Sequence, residues 1–273
     1  MTTPVQPRRR TLRARLLAFI TDATDRLTAI WRLLTGAQTT LLRALAAIRP
    51  GRNAAARVRD AEQAFRRALA QYVRDAAGFI ERWAAVDLPL AYREGALATM
   101  GYARRILRPW SWTPSHQGAI TTLSAQFYAD LTARLTETVR RAEAFLRTAL
   151  TTIRARLTRA AAADFSPARL RRDHPLDTVI YAGQHRHPVD AWARAALAWQ
   201  AVTTANTGAI VTAAEQLACT HVEIRDGAGC GWTSHQDPDK ADGTLRTIDD
   251  ALAHPLAHPN CVREIRPHLT RSP

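Results

Sequence analysis

Lysine is almost absent from this chain. Of 38 basic residues only Lys240 is a lysine, so nearly all the positive charge is guanidinium. A coding preference for arginine would explain that replacement. It would not explain the surplus over 24 acidic residues, the net charge of +14 or the pI of about 11.1. Arginine keeps its charge and grips phosphate through two parallel N–H donors, so the balance points to polyanionic surroundings such as nucleic acid. Cysteine is scarce as well. Cys219, Cys230 and Cys261 are too few and too scattered for a disulfide framework, and suit a reducing compartment where thiols stay free for metal. Long apolar runs are missing too. Arg8, Arg9 and Arg10 precede Leu12, Leu16, Leu17 and Ile20, but Arg13, Arg15 and Asp22 interrupt them, so neither a secretory signal nor a membrane span is expected. There is no phosphate loop, and no Ser/His/Asp or Cys/His nucleophile arrangement stands out.

What the chain does have is helical periodicity. With 47% hydrophobic residues over 273 positions, a core is within reach for one large domain or two small ones. Leu16, Ile20, Leu27, Ile30 and Leu34 predict a helix over 11–34, ended by Thr35-Gly36. Pro50-Gly51-Arg52-Asn53 reads as a break. A second long helix then carries Val58, Phe65, Leu69, Tyr72, Ile80 and Trp83 on one face, until Leu88-Pro89 kinks or ends it. A shorter helix reaches about Leu107, and Pro109 to Pro114, with Trp110 and Trp112, reads as a turn. The longest pattern runs from His116 to about Ala163, with Ile120, Leu123, Phe127, Leu131, Leu135, Leu146, Leu150, Ile153 and Leu157 along one stripe, as in a bundle. Its opposite face holds Arg134, Arg140, Arg141, Arg154 and Arg156, read as a solvated face in preference to a ridge against DNA.

Composition changes at Phe165-Ser166-Pro167. The expected fold is mainly α: a long basic helical body over 1–165, then a small, loop-rich α+β module over 166–273. Within the module, residues 178–182 and 185–189 around Gly183-Gln184 predict a short hairpin. Asp190 can cap a helix from Ala191 to about Thr204, Asn206-Thr207-Gly208 is read as an interruption, and a second helix reaches about Leu217. Residues 220–225 alternate as a strand into an Asp226-Gly227 turn. A small helix is expected near Ile248–Ala253, with loops elsewhere.

The dense chemistry lies in these last fifty or so residues. Cys230 and His235 form a C-x4-H pair, and His258 and Cys261 an H-x2-C pair. Two such pairs can close a tetrahedral zinc site, a staple that suits a segment too small for a large core. Asp226, His254 and His221 stand as spare ligands. Pro255 and Pro259 argue against one helix presenting both His254 and His258. The alternative is a metal-free knot of proline turns in which Cys230 and Cys261 are small apolar residues. Cys219 reads as a core thiol. The run Asp237–Gly243 misses the calcium-loop spacing by one residue and lacks the distal Glu, so it reads as a polar turn. The plausible catalytic groups all double as metal ligands, which favours a closed structural site.

The ordered elements Val222-Glu-Ile-Arg-Asp-Gly, Cys230-Gly-Trp-Thr, His235, Asp242-Gly-Thr and His254-Pro-Leu-Ala-His-Pro-Asn-Cys261, with Arg263, resemble the C-terminal signature of phage Mu F-like minor head proteins, in the form found in actinobacterial phages. The similarity covers about 178–267; the N-terminal helices match only in kind. Many members end in Cys-Arg-Cys or carry a second cysteine after the first; this chain has Cys261-Val262-Arg263, and Gly231 after Cys230, which leaves the ligand set reliant on histidine. The resemblance implies a low-copy structural virion protein of phage head morphogenesis and DNA packaging. It would be associated with the portal and capsid proteins, inside the capsid beside packaged double-stranded DNA, and in the host cytoplasm during assembly. Some relatives carry C-terminal effector domains; the short stretch after Cys261 leads us to expect none here. Zinc would be structural and no enzymatic activity is expected. The alternative is a metal-dependent, HNH-like nuclease using His254 or His258 as base, although no ββα pattern surrounds them. A DNA-binding regulator is less well supported, because no helix-turn-helix is evident.

Overall fold

The structure, a computed structural model, describes residues 11–103, 109–158, 165–180, 185–226, 242–258, 261 and 263–269. The chain is mainly helical, with a small C-terminal sheet, as its periodicity predicts. The elements are α1 (Leu12–Ala46), α2 (Ala54–Arg82), a π-helical turn (Trp83–Asp87), α3 (Leu88–Tyr102), α4 (Pro114–Leu157), α5 (Pro167–Asp173), β1 (Thr178–Ile180), β2 (Arg186–Pro188), α6 (Val189–Leu217), β3 (His221–Arg225), β4 (Leu245–Thr247), α7 (Ile248–Ala253) and β5 (Glu264–Pro267). Among the described residues, no helix is long and apolar enough to cross a membrane. The chain forms two compact units, neither contiguous in sequence: Met1–Thr24 with Trp83–Phe127 and Arg194–Pro273, and Asp25–Arg82 with Tyr128–Ala193. The 166–273 stretch thus contributes to both.

In the unit of Asp25–Arg82 and Tyr128–Ala193, apolar stripes of α1, α2 and α4 meet. Trp31, Leu34, Leu45, Phe65, Tyr72, Phe145 and Ile153 are almost fully buried, and each large side chain removed from water contributes about 1.5–3 kcal/mol. Edge-to-face contacts join Trp31 to Tyr72 and Phe65 to Phe145 at 5.3 and 5.6 Å, geometry that adds about 0.5–1.5 kcal/mol per pair. α1 continues through Gly36, where the sequence predicts a stop. The apolar spacing carries on through Leu41, Leu42 and Leu45, all buried, and that tertiary burial outweighs the intrinsic cost of one helical glycine, about 1 kcal/mol.

β1 and β2 pair antiparallel with Val179 opposite His187, which is the predicted hairpin. The α4 arginines divide. Arg141 donates to the carbonyls of Pro175 and Thr178 (3.0 and 2.6 Å) and Arg134 to that of Ile180 (2.9 Å). Arg140 and Arg154 point to solvent with side chains 74% and 61% exposed. The face read as solvated therefore brackets the backbone of β1 in its middle and is solvent-facing elsewhere.

In the other unit, Leu88-Pro89 sits just after the π-helical turn. In a five-residue register the Ala84 carbonyl faces Pro89, which has no N–H. The Ser124 hydroxyl donates to that carbonyl at 2.9 Å instead. Trp83 is buried, stacks on Phe19 and donates its indole N–H to Gln200 Oε1 at 2.7 Å. The backbones of α3 and α6 approach closely. A Cβ on Gly95 would lie 1.8 Å from the Ala205 carbonyl oxygen, and one on Gly208 would lie 2.3 Å from that of Tyr92. α6 therefore runs unbroken through Asn206-Thr207-Gly208. Gly208 is there for the crossing and does not break the helix.

The Pro109–Pro114 turn packs its rings around His116. Trp110, Trp112 and Tyr92 all lie within 6.2 Å of the imidazole, centroid to centroid. His116 Nδ1 meets the Tyr92 hydroxyl at 2.8 Å and Nε2 meets Gln216 Nε2 at 3.3 Å. Gln216 Nε2 also donates to the Ser111 carbonyl, so the imidazole nitrogen facing it must accept. Protonation would set two donors face to face. Burial accordingly lowers the His116 pKa, against a weaker upward pull from Glu215.

Candidate functional site

β3 buries Val222 and Ile224 against α6, α7 and β5 in a cluster with Ile210, Ala213, Cys219, Ala251 and Ile265. The sheet order is β4-β3-β5, all antiparallel, with Val222 opposite Arg246 and Ile224 opposite Ile265. β4 and β5 fall where the sequence predicts loops; at three and four residues their strand character comes from pairing with β3 and not from any pattern of their own. The Thr247 hydroxyl accepts from the Asp250 N–H and caps α7, which lies where it is expected.

This frame brings the end of β3 beside the start of β5, and the C-terminal motif converges there. Asp226, which follows β3, accepts from Arg263 Nε at Oδ1 (2.6 Å) and from Arg263 Nη2 at Oδ2 (2.9 Å). Arg263 is 1% exposed and Asp226 is 4% exposed, so this is a forked ion pair out of water. Arg263 Nη1 donates to the His254 carbonyl at 2.8 Å. Asn206, fully buried on α6, donates from Nδ2 to the carbonyls of Pro255 and Arg263. The Asp226 N–H is taken by Asp242 Oδ1 at 2.8 Å. The Cys261 thiol, 1% exposed, donates to Asp226 Oδ1 at 3.9 Å. Two buried charges are tolerated here because nearly every polar atom around them has a partner.

Of the expected metal ligands, His258 and Cys261 lie together, and the spare candidates Asp226, His254 and His221 have other contacts. Cys230 and His235 lie outside the described residues, as does most of the Asp237–Gly243 run. His258 and Cys261 are joined by a turn in which the Cys261 N–H donates to the His258 carbonyl at 2.8 Å. Asp226 has both oxygens committed to Arg263, which removes it as a spare ligand. His254 turns Nδ1 onto Asp250, 3.0 Å from the carbonyl and 3.1 Å from Oδ1, and its Nε2 meets no partner among the described residues. His221 Nδ1 sits against the Thr220 hydroxyl. Cys219 is a core thiol, and burial pushes its pKa up. Among the described residues, no group of three or more His, Cys, Asp or Glu side chains gathers as a metal site requires.

Sequence reasoning quotes Arg263 as part of the motif but assigns it no role, and it treats Asn206 as a helix breaker. The one available signal was chemical. An arginine that is to be buried needs a carboxylate, and Asp226 follows the paired strand. Comparison of the chain with protein-family models, with characterised proteins and with solved structures finds no match.

Proposed function

We propose that this chain is a phage or prophage minor capsid protein: a low-copy structural component of the virion, acting in head morphogenesis and DNA packaging. In this reading it sits inside the capsid with the portal and capsid proteins and beside packaged double-stranded DNA, passes through the host cytoplasm during assembly, and catalyses no reaction. The observation that carries the reading is the ordered C-terminal motif, whose Asp226, His254, Pro255, Cys261 and Arg263 meet in one buried knot. Asp226 and Arg263 are spent on tying a loop, as in an architectural element, with their polar groups turned inward. Charge supports the DNA contact: the unit of Asp25–Arg82 and Tyr128–Ala193 holds 22 arginines against 12 acidic residues, and non-specific DNA binding rests on such a surplus.

A structural zinc belongs to the same proposal, held by Cys230, His235, His258 and Cys261. Its support is the motif spacing together with the His258–Cys261 turn. The test of function is quantitative mass spectrometry of gradient-purified particles, with portal and major capsid protein as internal references. A few copies per portal are expected. Absence from particles that contain portal would overturn the proposal and restore the metal-dependent nuclease, with His254 or His258 as base, as the reading to assay.

A further inference from the structure

The turn between α1 and α2 closes one end of the unit of Asp25–Arg82 and Tyr128–Ala193 with an unusual run of charge. Arg49, Arg52, Arg57 and Arg59 are all exposed, and Asp60 is the nearest acid in sequence. Beside this turn lies a cleft of about 430 Å³. Pro50, Gly51, Val58, Leu157 and the start of α2 line it, together with Arg52, Arg59 and Arg154. Among the described residues, no acidic side chain lines it. Arg154 shares Glu62 with Arg66, at 3.6 and 2.9 Å, so it brings a partly compensated charge. Arg52 and Arg59 have no carboxylate partner among the described residues. Guanidinium groups on separate elements around an acid-free cleft leave a local positive potential that an anion would neutralise. The first turn of α2 contains no acidic residue and adds its backbone N–H groups to that potential.

We infer that this cleft is a phosphate seat, and that its ligand is the backbone of double-stranded DNA, with Arg52 and Arg59 as the contacting groups. The inference deepens the proposed function and rests on its DNA contact. Phosphate is favoured over a carboxylate ligand because paired guanidinium forks match its oxygens, and because the surrounding unit carries a surplus of arginine over acidic residues. The apolar side chains of Val58 and Leu157 in the lining lower the local dielectric and strengthen the contact.

The test uses the full chain and a short duplex of arbitrary sequence, with binding followed by fluorescence anisotropy across a salt series. The cleft variant is Arg52→Gln/Arg59→Gln. The control, Arg169→Gln/Arg172→Gln, removes the same charge from α5 in the same unit. Both pairs are exposed, and thermal unfolding checks that both variants stay folded. The cleft variant is expected to bind about tenfold or more weakly and to lower the salt slope by about 2, one per lost phosphate contact, while the control changes both much less. Equal losses in the two variants would overturn the seat and leave DNA binding as diffuse charge matching. A wild-type chain that does not bind the duplex at all would overturn the DNA contact itself. Tripolyphosphate serves as a second probe. If it binds the wild type and not the cleft variant, while duplex binding is the same in both, the ligand is a free phosphate compound and the DNA assignment falls.

Discussion

The two compact units are held together by different physics. In the unit of Asp25–Arg82 and Tyr128–Ala193, long helices meet along apolar stripes, rings interlock at Trp31, Tyr72, Phe65 and Phe145, and arginines reach backbone carbonyls at the margin. In the unit of Met1–Thr24, Trp83–Phe127 and Arg194–Pro273, the fold depends on buried polar pairs: Trp83 with Gln200, Tyr92 with His116, and Asp226 with Arg263. It also depends on two glycines where backbones touch. The apolar unit should absorb changes of shape. The polar unit should not, because an unpartnered buried group or an added methyl has nowhere to go.

The largest effect is expected at the helix crossing. Gly95→Val places side-chain carbon where the Ala205 carbonyl already sits and should cost about 3 kcal/mol or more, read as a collapsed unfolding midpoint in urea. A matched change in the apolar unit, Phe145→Leu, should cost less, about 1–1.5 kcal/mol, because neighbouring Leu and Phe side chains can shift to fill the space. Similar costs for the two would erase the contrast between the units.

Acid sharpens it in another way. His116 holds its proton more weakly when folded, so the unfolded chain takes one up first as pH falls through the ordinary imidazole range near about 6.5. The stability this residue allows is complete above that range and is lost below it. The melting temperature should therefore fall between about pH 7.5 and 5.5, and His116→Gln should flatten that fall. Glu215, held below the usual carboxylate range by the hydroxyls of Ser115 and Thr113, contributes in the opposite sense of charge. Its stabilisation is present above the ordinary carboxylate pKa and is lost only at still lower pH, so the two titrations separate. The smallest effect is expected at Arg169→Gln. That side chain is 75% exposed and pairs with Asp173 at 3.5 Å, and its loss should move stability by less than about 0.5 kcal/mol.

Legibility followed the same division. The stripes of α1, α2 and α4 were readable because burial repeats with the helical period, and the β1–β2 hairpin was readable from its turn residues. Gly36 and Asn206-Thr207-Gly208 misled because their reasons are tertiary: continued burial of Leu41 and Leu45 in one case, contact with Tyr92 and the 255–263 loop in the other. Strands β4 and β5 were invisible because three or four residues carry no period. The ion pair joins residues 37 apart, a pairing no local pattern encodes. The motif thus marked where the chemistry lies, and the structure shows that Asp226, read as a spare ligand, is held by Arg263 instead.

The claim that the C-terminal motif is architecture rests on Asp226 paired with Arg263, and a double-mutant cycle on these two residues measures what the pair holds. Equilibrium unfolding of the full chain would be measured for Asp226→Leu, Arg263→Met and the two combined. Each single change strands a buried charge and should cost about 3–5 kcal/mol, while the double variant should return to within about 2 kcal/mol of the parent. Single costs below about 1 kcal/mol that simply add would contradict the claim, since the pair would then hold nothing together.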